Sequence, residues 1–247
     1  KMDREVSELR FWGAHLGGFE LAEQLTGSIY VLGLRESDGP GFASRNRDLL
    51  TVGTRLLGKT AAWEWEVETA YQFGDARETA APLDTTDIDH RAWFLHWRLA
   101  RSLTDRLAVS LRYDYASGDD VPGDDEMQRF DTLFGSRGFE YGPTGIYGAL
   151  ARGNINAPAV QLDWSASAAV DVFVRYRAAW LASRRDAYVT TGLVSPDGTA
   201  GSFVGNQFDW RIRWRAMPGN LTVDAGGAFL IKGEFLDSEP RVSSGNS

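Results

Sequence analysis

Arg211, Arg213 and Arg215 stand at alternate positions in the segment QFDWRIRWRA, separated by Ile212 and Trp214. In an extended strand the rise is about 3.3 Å per residue, so their guanidinium stems follow one another on one face at intervals of about 6.6 Å. Such a row binds anions, because each guanidinium presents a planar fork of donors that matches a carboxylate. Five further cations, Arg98, Arg112, Arg175, Arg177 and Lys232, take the hydrophilic parity of their own segments. The same parity carries the carboxylates Glu64, Glu66, Glu68, Asp114, Asp163, Asp171, Asp209 and Asp224. Rows of weak, replaceable contacts of this kind suit the passage of an anion better than its retention. The competing expectation is that these are ordinary cross-strand salt bridges, each adding little selectivity. The row from 211 to 215 is the strongest candidate for an anion-guiding element.

These charges need strands to hold them. In AAWEWEVETAYQF, Trp63, Trp65, Val67, Thr69, Tyr71 and Phe73 occupy one parity and Glu64, Glu66, Glu68, Ala70 and Gln72 the other. A period of two over so many residues specifies a strand with chemically distinct faces. The pattern returns in DRLAVSLRYDY and QFDWRIRWRA, in HRAWFLHWRL, AVDVFVRYRAAW and NLTVDAGGAFLIK, and more weakly near 8–16, 25–36, 47–58 and 156–165. Together these predict about ten strands and no need for helix.

The links between them alternate in length. GKTA at 58–61, SLTD at 102–105, SASA at 165–168 and MPGN at 217–220 are tight turns, and 17–24 is a moderately short connection. Long polar links lie near 37–46, 75–88, 117–155 and 183–205. All of the long links therefore fall at one end of an up-and-down antiparallel sheet, as in outer-membrane barrels with short periplasmic turns and long external loops. Aromatic residues gather toward both ends of the apolar faces, Trp63, Trp65 and Trp214 near turns and Tyr71, Phe73, Tyr113 and Tyr115 near loops. Paired aromatic girdles are the signature of two membrane interfaces. The alternative is a soluble barrel with the same alternation turned inside out, which would bury Trp210 and Trp214 and expose Arg211 and Arg213.

Composition narrows the function classes. The 247 residues contain 27 glycines, 9 tryptophans, 8 tyrosines and 13 phenylalanines, a balance that favours pleated sheet with tight turns. Of the 26 basic residues only Lys1, Lys59 and Lys232 are lysines, and the other 23 are arginines. No run approaches the ~20 apolar residues of a membrane-crossing helix. A formal net charge of −8 argues against a nucleic-acid partner. Cysteine is absent, and His15, His90 and His96 have no zinc spacing. No nucleophile elbow or phosphate-binding glycine motif is present either, so no catalytic site, metal or cofactor is predicted. The acids Asp119, Asp120, Asp124, Asp125 and Glu126 lack the spacing of a calcium loop and read as a solvated acidic loop.

Several segments carry a resemblance to a known family. YVLGLRE at 30–36, RYDYASGD at 112–119, RFDTLFG at 129–135, GPTGIYG at 142–148 and NQFDWRIRWR at 206–215 resemble the alginate-export outer-membrane proteins, over about residues 26 to 235. The resemblance implies a monomeric barrel of roughly eighteen strands enclosing an aqueous channel. It also implies an electropositive constriction that passes a polyuronate, with Arg211, Arg213 and Arg215 at the place of the family's late-strand pore arginines. Expected partners are an acidic polysaccharide, outer-membrane lipid and periplasmic export proteins. The function expected is passive export of an alginate-like polymer across the bacterial outer membrane, and the alternative is a substrate-selective porin for small organic anions. The chain is expected to be one β-barrel domain, 1–247, cut at both ends: the strand pattern starts and stops on the long-loop side, and KMDREVSELR is not a signal peptide. The segment 117–155 is expected to be an external or pore-facing loop in which FDTLFG turns inward or caps the channel, the alternative being that Phe130, Leu133 and Phe134 anchor it on the rim.

Overall fold

A computed structural model describes residues 7–39, 41–81, 83–133, 148–238 and 241–242. In chain order the strands are β1 (Leu9–Ala22), β2 (Leu25–Glu36), β3 (Asp48–Lys59), β4 (Trp63–Arg77), β5 (Asp87–Thr104), β6 (Leu107–Ala116) and β7 (Glu126–Met127). They continue with β8 (Ile155–Ser167), β9 (Val170–Trp180), β10 (Leu193–Val194), β11 (Phe203–Met217), β12 (Leu221–Lys232) and β13 (Arg241–Val242), and one helical turn, α1 (Glu234–Asp237), follows β12. The long strands pair antiparallel with their neighbours in the order β1-β2-β3-β4-β5-β6-β8-β9-β11-β12. The short β7 adds in parallel to β5, and β10 with β13 forms a separate ribbon. The sheet is not closed, and its up-and-down order is that of a partial barrel wall.

All of the long links between consecutive strands of this order leave from one end of the sheet, and tight hairpins close the other. One boundary differs from the sequence expectation. The strand expected to end near residue 16 runs on to Ala22, because register shifts between Gly17 and Phe19 and between Glu20 and Ala22 each insert one residue. Gly18 takes φ +74 there. Each inserted residue flips the parity of the positions beyond it, so a strand that bulges twice loses its period of two.

The two faces are distributed in the sense opposite to that of a soluble barrel. Trp210 and Trp214 are 42% and 51% exposed, and Trp12, Ile29, Val52, Leu111, Leu162 and Val174 share that open face. On the other face Gln72, Gln207, Asp209 and Arg177 are buried. An exposed apolar surface of this extent on a sheet is the mark of a face made for a nonaqueous neighbour. Rings line its ends: Trp63, Trp164 and Trp214 lie near hairpins, and Trp93 with Tyr115 and Tyr176 with Phe208 pair near the loops at 4.6 and 5.1 Å. Trp210, halfway along β11, is an exception.

A second apolar cluster lies on the charged side, at the loop end. Ala70, Ala92, Phe94, Ala116, Ala157 and Ala179 of the strands are covered there by Phe130, Leu150, Tyr188 and Phe235, which come from the long links and α1. Strand alanines leave the room that these larger side chains fill. Phe130 lies against Phe94 with ring centroids 5.6 Å apart, so this residue turns onto the charged side. Phe134 and the GPTGIYG residues 142–147 lie outside the described residues.

Candidate functional site

The register carries the charged residues into transverse rows. One row runs Glu66, Arg98, Arg112, Ala159, Arg177 and Gln207 across β4, β5, β6, β8, β9 and β11. The next runs Ser110, Gln161, Arg175 and Asp209, and nearer the hairpins Asp171 stands beside Arg213, which stands beside Asp224. Every cation and carboxylate expected on the hydrophilic parity therefore shares one face of the sheet. Lys232 keeps that parity but lies at the loop end of β12, exposed and away from the others.

Almost every cation on this face is held by an acid. Arg177 donates from Nη1 to Asp114 Oδ2 at 2.6 Å, while His96 Nδ1 lies 2.6 Å from the other oxygen of the same carboxylate. Arg175 engages Asp209 through Nε at 2.8 Å and Nη2 at 2.7 Å. Arg213 forks onto Asp224 at 2.8 and 3.2 Å, and Arg215 donates to Asp171 at 2.6 Å. Arg211 is 3.9 Å from Asp224 and lies over the Phe173 ring at 4.9 Å. The row from 211 to 215 is thus a set of paired guanidiniums, not a ladder of free ones. On β4, Glu64 holds Lys59 at 2.8 Å and lies 3.7 Å from Arg98. Glu66 holds Arg55 at 2.6 Å, and Glu68 accepts from the Tyr30 hydroxyl at 2.9 Å. Tyr30 reaches Glu68 by crossing Gly53, where a Cβ would stand 2.1 Å from the ring.

Arg112 departs from this pattern. Its Nε is buried without a hydrogen-bond partner, and it makes no ion pair among the described residues. Its cross-strand neighbours are Arg98 on β5 and the short Ala159 on β8, beyond which comes Arg177. The carboxylate on the adjacent strand, Asp163, accepts instead from Gln161 Nε2 at 2.8 Å. In this neighbourhood of four arginines, Arg112 is thereby the guanidinium that no carboxylate pairs with among the described residues.

Sequence reasoning missed Tyr30, Arg55, His96, Gln161 and Gln207 as partners in these networks. The parity of the weakly alternating segment 47–58 would have placed Arg55. Arg152, whose guanidinium lies over Phe94 at 4.7 Å, arrives from a loop and had no sequence signal.

A single sheet with an exposed, ring-edged apolar face and an opposite face of paired charges has the form of an outer-membrane β-barrel wall. The chain belongs to the alginate export family, whose sequence model matches residues 2–247. That family is one of outer-membrane alginate-export porins, which are transport channels. A search of the curated proteins found no match to the chain.

Proposed function

We propose that the charged face lines the aqueous passage through which alginate leaves, and that Arg112 is the guanidinium that engages the polymer's carboxylates within the wall. The apolar face then meets outer-membrane lipid. The observation that carries this reading is the unused donors of Arg112 amid Arg98, Arg175 and Arg177. A uronate carboxylate accepts two parallel N–H bonds from such a fork. The arginines already tied to Asp114, Asp209, Asp171 and Asp224 offer no equally strong seats, so a carboxylate that enters can also leave.

Planar-bilayer recordings of the full-length protein test this. Wild type is expected to be anion-selective and blocked by oligouronate, and Arg112→Gln to weaken that block by at least about tenfold, the loss expected for a hydrogen bond to a charged group. Arg213→Glu should lower anion selectivity with a smaller effect on block. Block by small organic acids alone would support a small-anion porin instead, and an unaltered block in Arg112→Gln would remove Arg112 from the mechanism.

A further inference from the structure

Beyond the wall, the loop end holds a second cationic site enclosed by a cavity. The cavity, of about 570 Å³, lies between the β2–β3 link, the β4–β5 link and residues 127–133, and its charged lining consists of Arg45, Arg47, Arg129, Glu36 and Asp131. Its volume falls in the range of about 300–1,000 Å³ typical of small-ligand sites. Arg47 is fully committed: Nε and Nη2 bond Glu36 at 2.7 and 3.0 Å, and Nη1 bonds Asp131. Arg129 is 3.5 Å from Asp186. Arg45 is the odd one out. Its Nε donates to the Arg77 carbonyl at 2.8 Å, but its Nη2 is buried with no partner and no carboxylate pairs with it among the described residues. Burial, then the nearby Arg129 and Arg47, hold its pKa below the ordinary arginine value. A buried donor left unsatisfied beside two like charges is costly unless an anion completes it.

We propose that this cavity is a binding site for one uronate unit at the outer mouth, its carboxylate accepting from Arg45 Nη2 beside Arg129. Phe42, Phe130 and Leu133 of the same lining offer apolar surface to the sugar's C–H face. The site lies among the external links and shares no residue with the wall row around Arg112. It rests on the reading of the chain as a polyuronate channel, to which it adds a seat for the emerging chain.

The test is a calorimetric titration of detergent-solubilised full-length protein with digalacturonate, using maltose as the neutral control. It is run in an Arg112→Gln background so that the wall does not contribute. The parent of this series is expected to bind digalacturonate and not maltose. Arg45→Gln should weaken binding by at least about tenfold, since it removes a hydrogen bond to a charged group. Ala80→Trp, which fills the cavity from a different link, should do the same and guards against a loss caused by misfolding of the Arg45 variant. Equal binding in both variants, or no binding in the parent, overturns the site. Absence of oligouronate block in bilayers, with this binding intact, overturns the proposed conduction and not the site.

Discussion

Removing the carboxylate of Asp114 is the sharpest test of how the wall is held together. Asp114 is shared by Arg177 at 2.6 Å and His96 at 2.6 Å, and the side chains of Arg177 and Asp114 are 1% and 9% exposed. Asp114→Asn therefore strands a buried guanidinium and leaves His96 without its anion, a class of change that costs about 3–5 kcal/mol. The control is Asp224→Asn, which breaks the Arg213 fork at 2.8 and 3.2 Å, where the side chains are 40% and 36% exposed. Solvent screening discounts that pair to about 0–1 kcal/mol. Urea unfolding of the full-length protein in detergent, followed by tryptophan fluorescence, should separate the two variants by at least about 2 kcal/mol, the smallest gap between those ranges. The same Asp114→Asn protein should become more anion-selective in bilayers, because the Arg98, Arg112, Arg175 and Arg177 neighbourhood loses one of its carboxylates. Equal stability for the two variants would refute the argument that burial, and not the presence of an ion pair as such, sets what each pair contributes.

Two further outcomes are expected. Ile212→Arg places a cation in the middle of the exposed apolar face and should cost assembly about 2–4 kcal/mol, read as loss of heat-modifiable, protease-resistant barrel in vesicles, and normal assembly would contradict the assignment of faces. In the long links the Asp119 backbone N–H donates to Asp186 Oδ2 at 3.0 Å, and burial followed by the charge of Asp186 pushes the Asp119 carboxyl up to about 6, with Asp124 adding repulsion and Arg129 opposing it; Asp186 is also raised, mainly by burial, with Asp120 acting against its charge. Because the docked state holds the proton more tightly, this clasp is strongest below about 4 and loosens as pH rises through about 6; limited proteolysis near 117–133 should therefore quicken over that interval and lose part of its pH dependence in Asp119→Asn, the rest belonging to Asp186, and an unchanged profile in that variant would exclude the Asp119 carboxyl as a sensor.

The alternation of Trp63 through Phe73 against Glu64 through Gln72 was enough to read β4, and the lengths of the links were enough to read the up-and-down order. Both signals are local, and the sheet obeys them. The lower half of β1 was not legible, because its two bulges erase the period that identifies a strand. Parity also set the charges from Glu64 to Lys232 named above on one face, since a strand has only two. What parity cannot reach is partnership. Arg177 and Asp114 are 63 residues apart and sit on β9 and β6, with β8 between them. Nothing near either residue announces the other. The idle donors of Arg112 depend likewise on a register that sets Ala159 beside it and turns Asp163 toward Gln161. The inward turn of Phe130 depends on alanines at 70, 92 and 116, which look like mere filler until the strands are aligned.

If the charged face lines the passage as proposed, the distribution of paired and unpaired arginines bears directly on conduction. A row of free guanidiniums would hold a polyanion at many points at once, and the summed affinity would stop it. A wall of wholly satisfied ion pairs would offer no foothold. Here the carboxylates Asp114, Asp209, Asp171 and Asp224 occupy most of the guanidiniums, whereas Arg112 in the wall and Arg45 in the β2–β3 link each have a buried donor and no carboxylate partner among the described residues. Conduction requires binding favourable enough to admit the anion and weak enough at each site to let it leave. On the proposed reading the acids are as much a part of the selectivity as the arginines: they set how many seats a carboxylate finds. Neutralising an acid should therefore slow a polyuronate more than it slows a small anion, since only the polymer can occupy the newly freed guanidinium and Arg112 together.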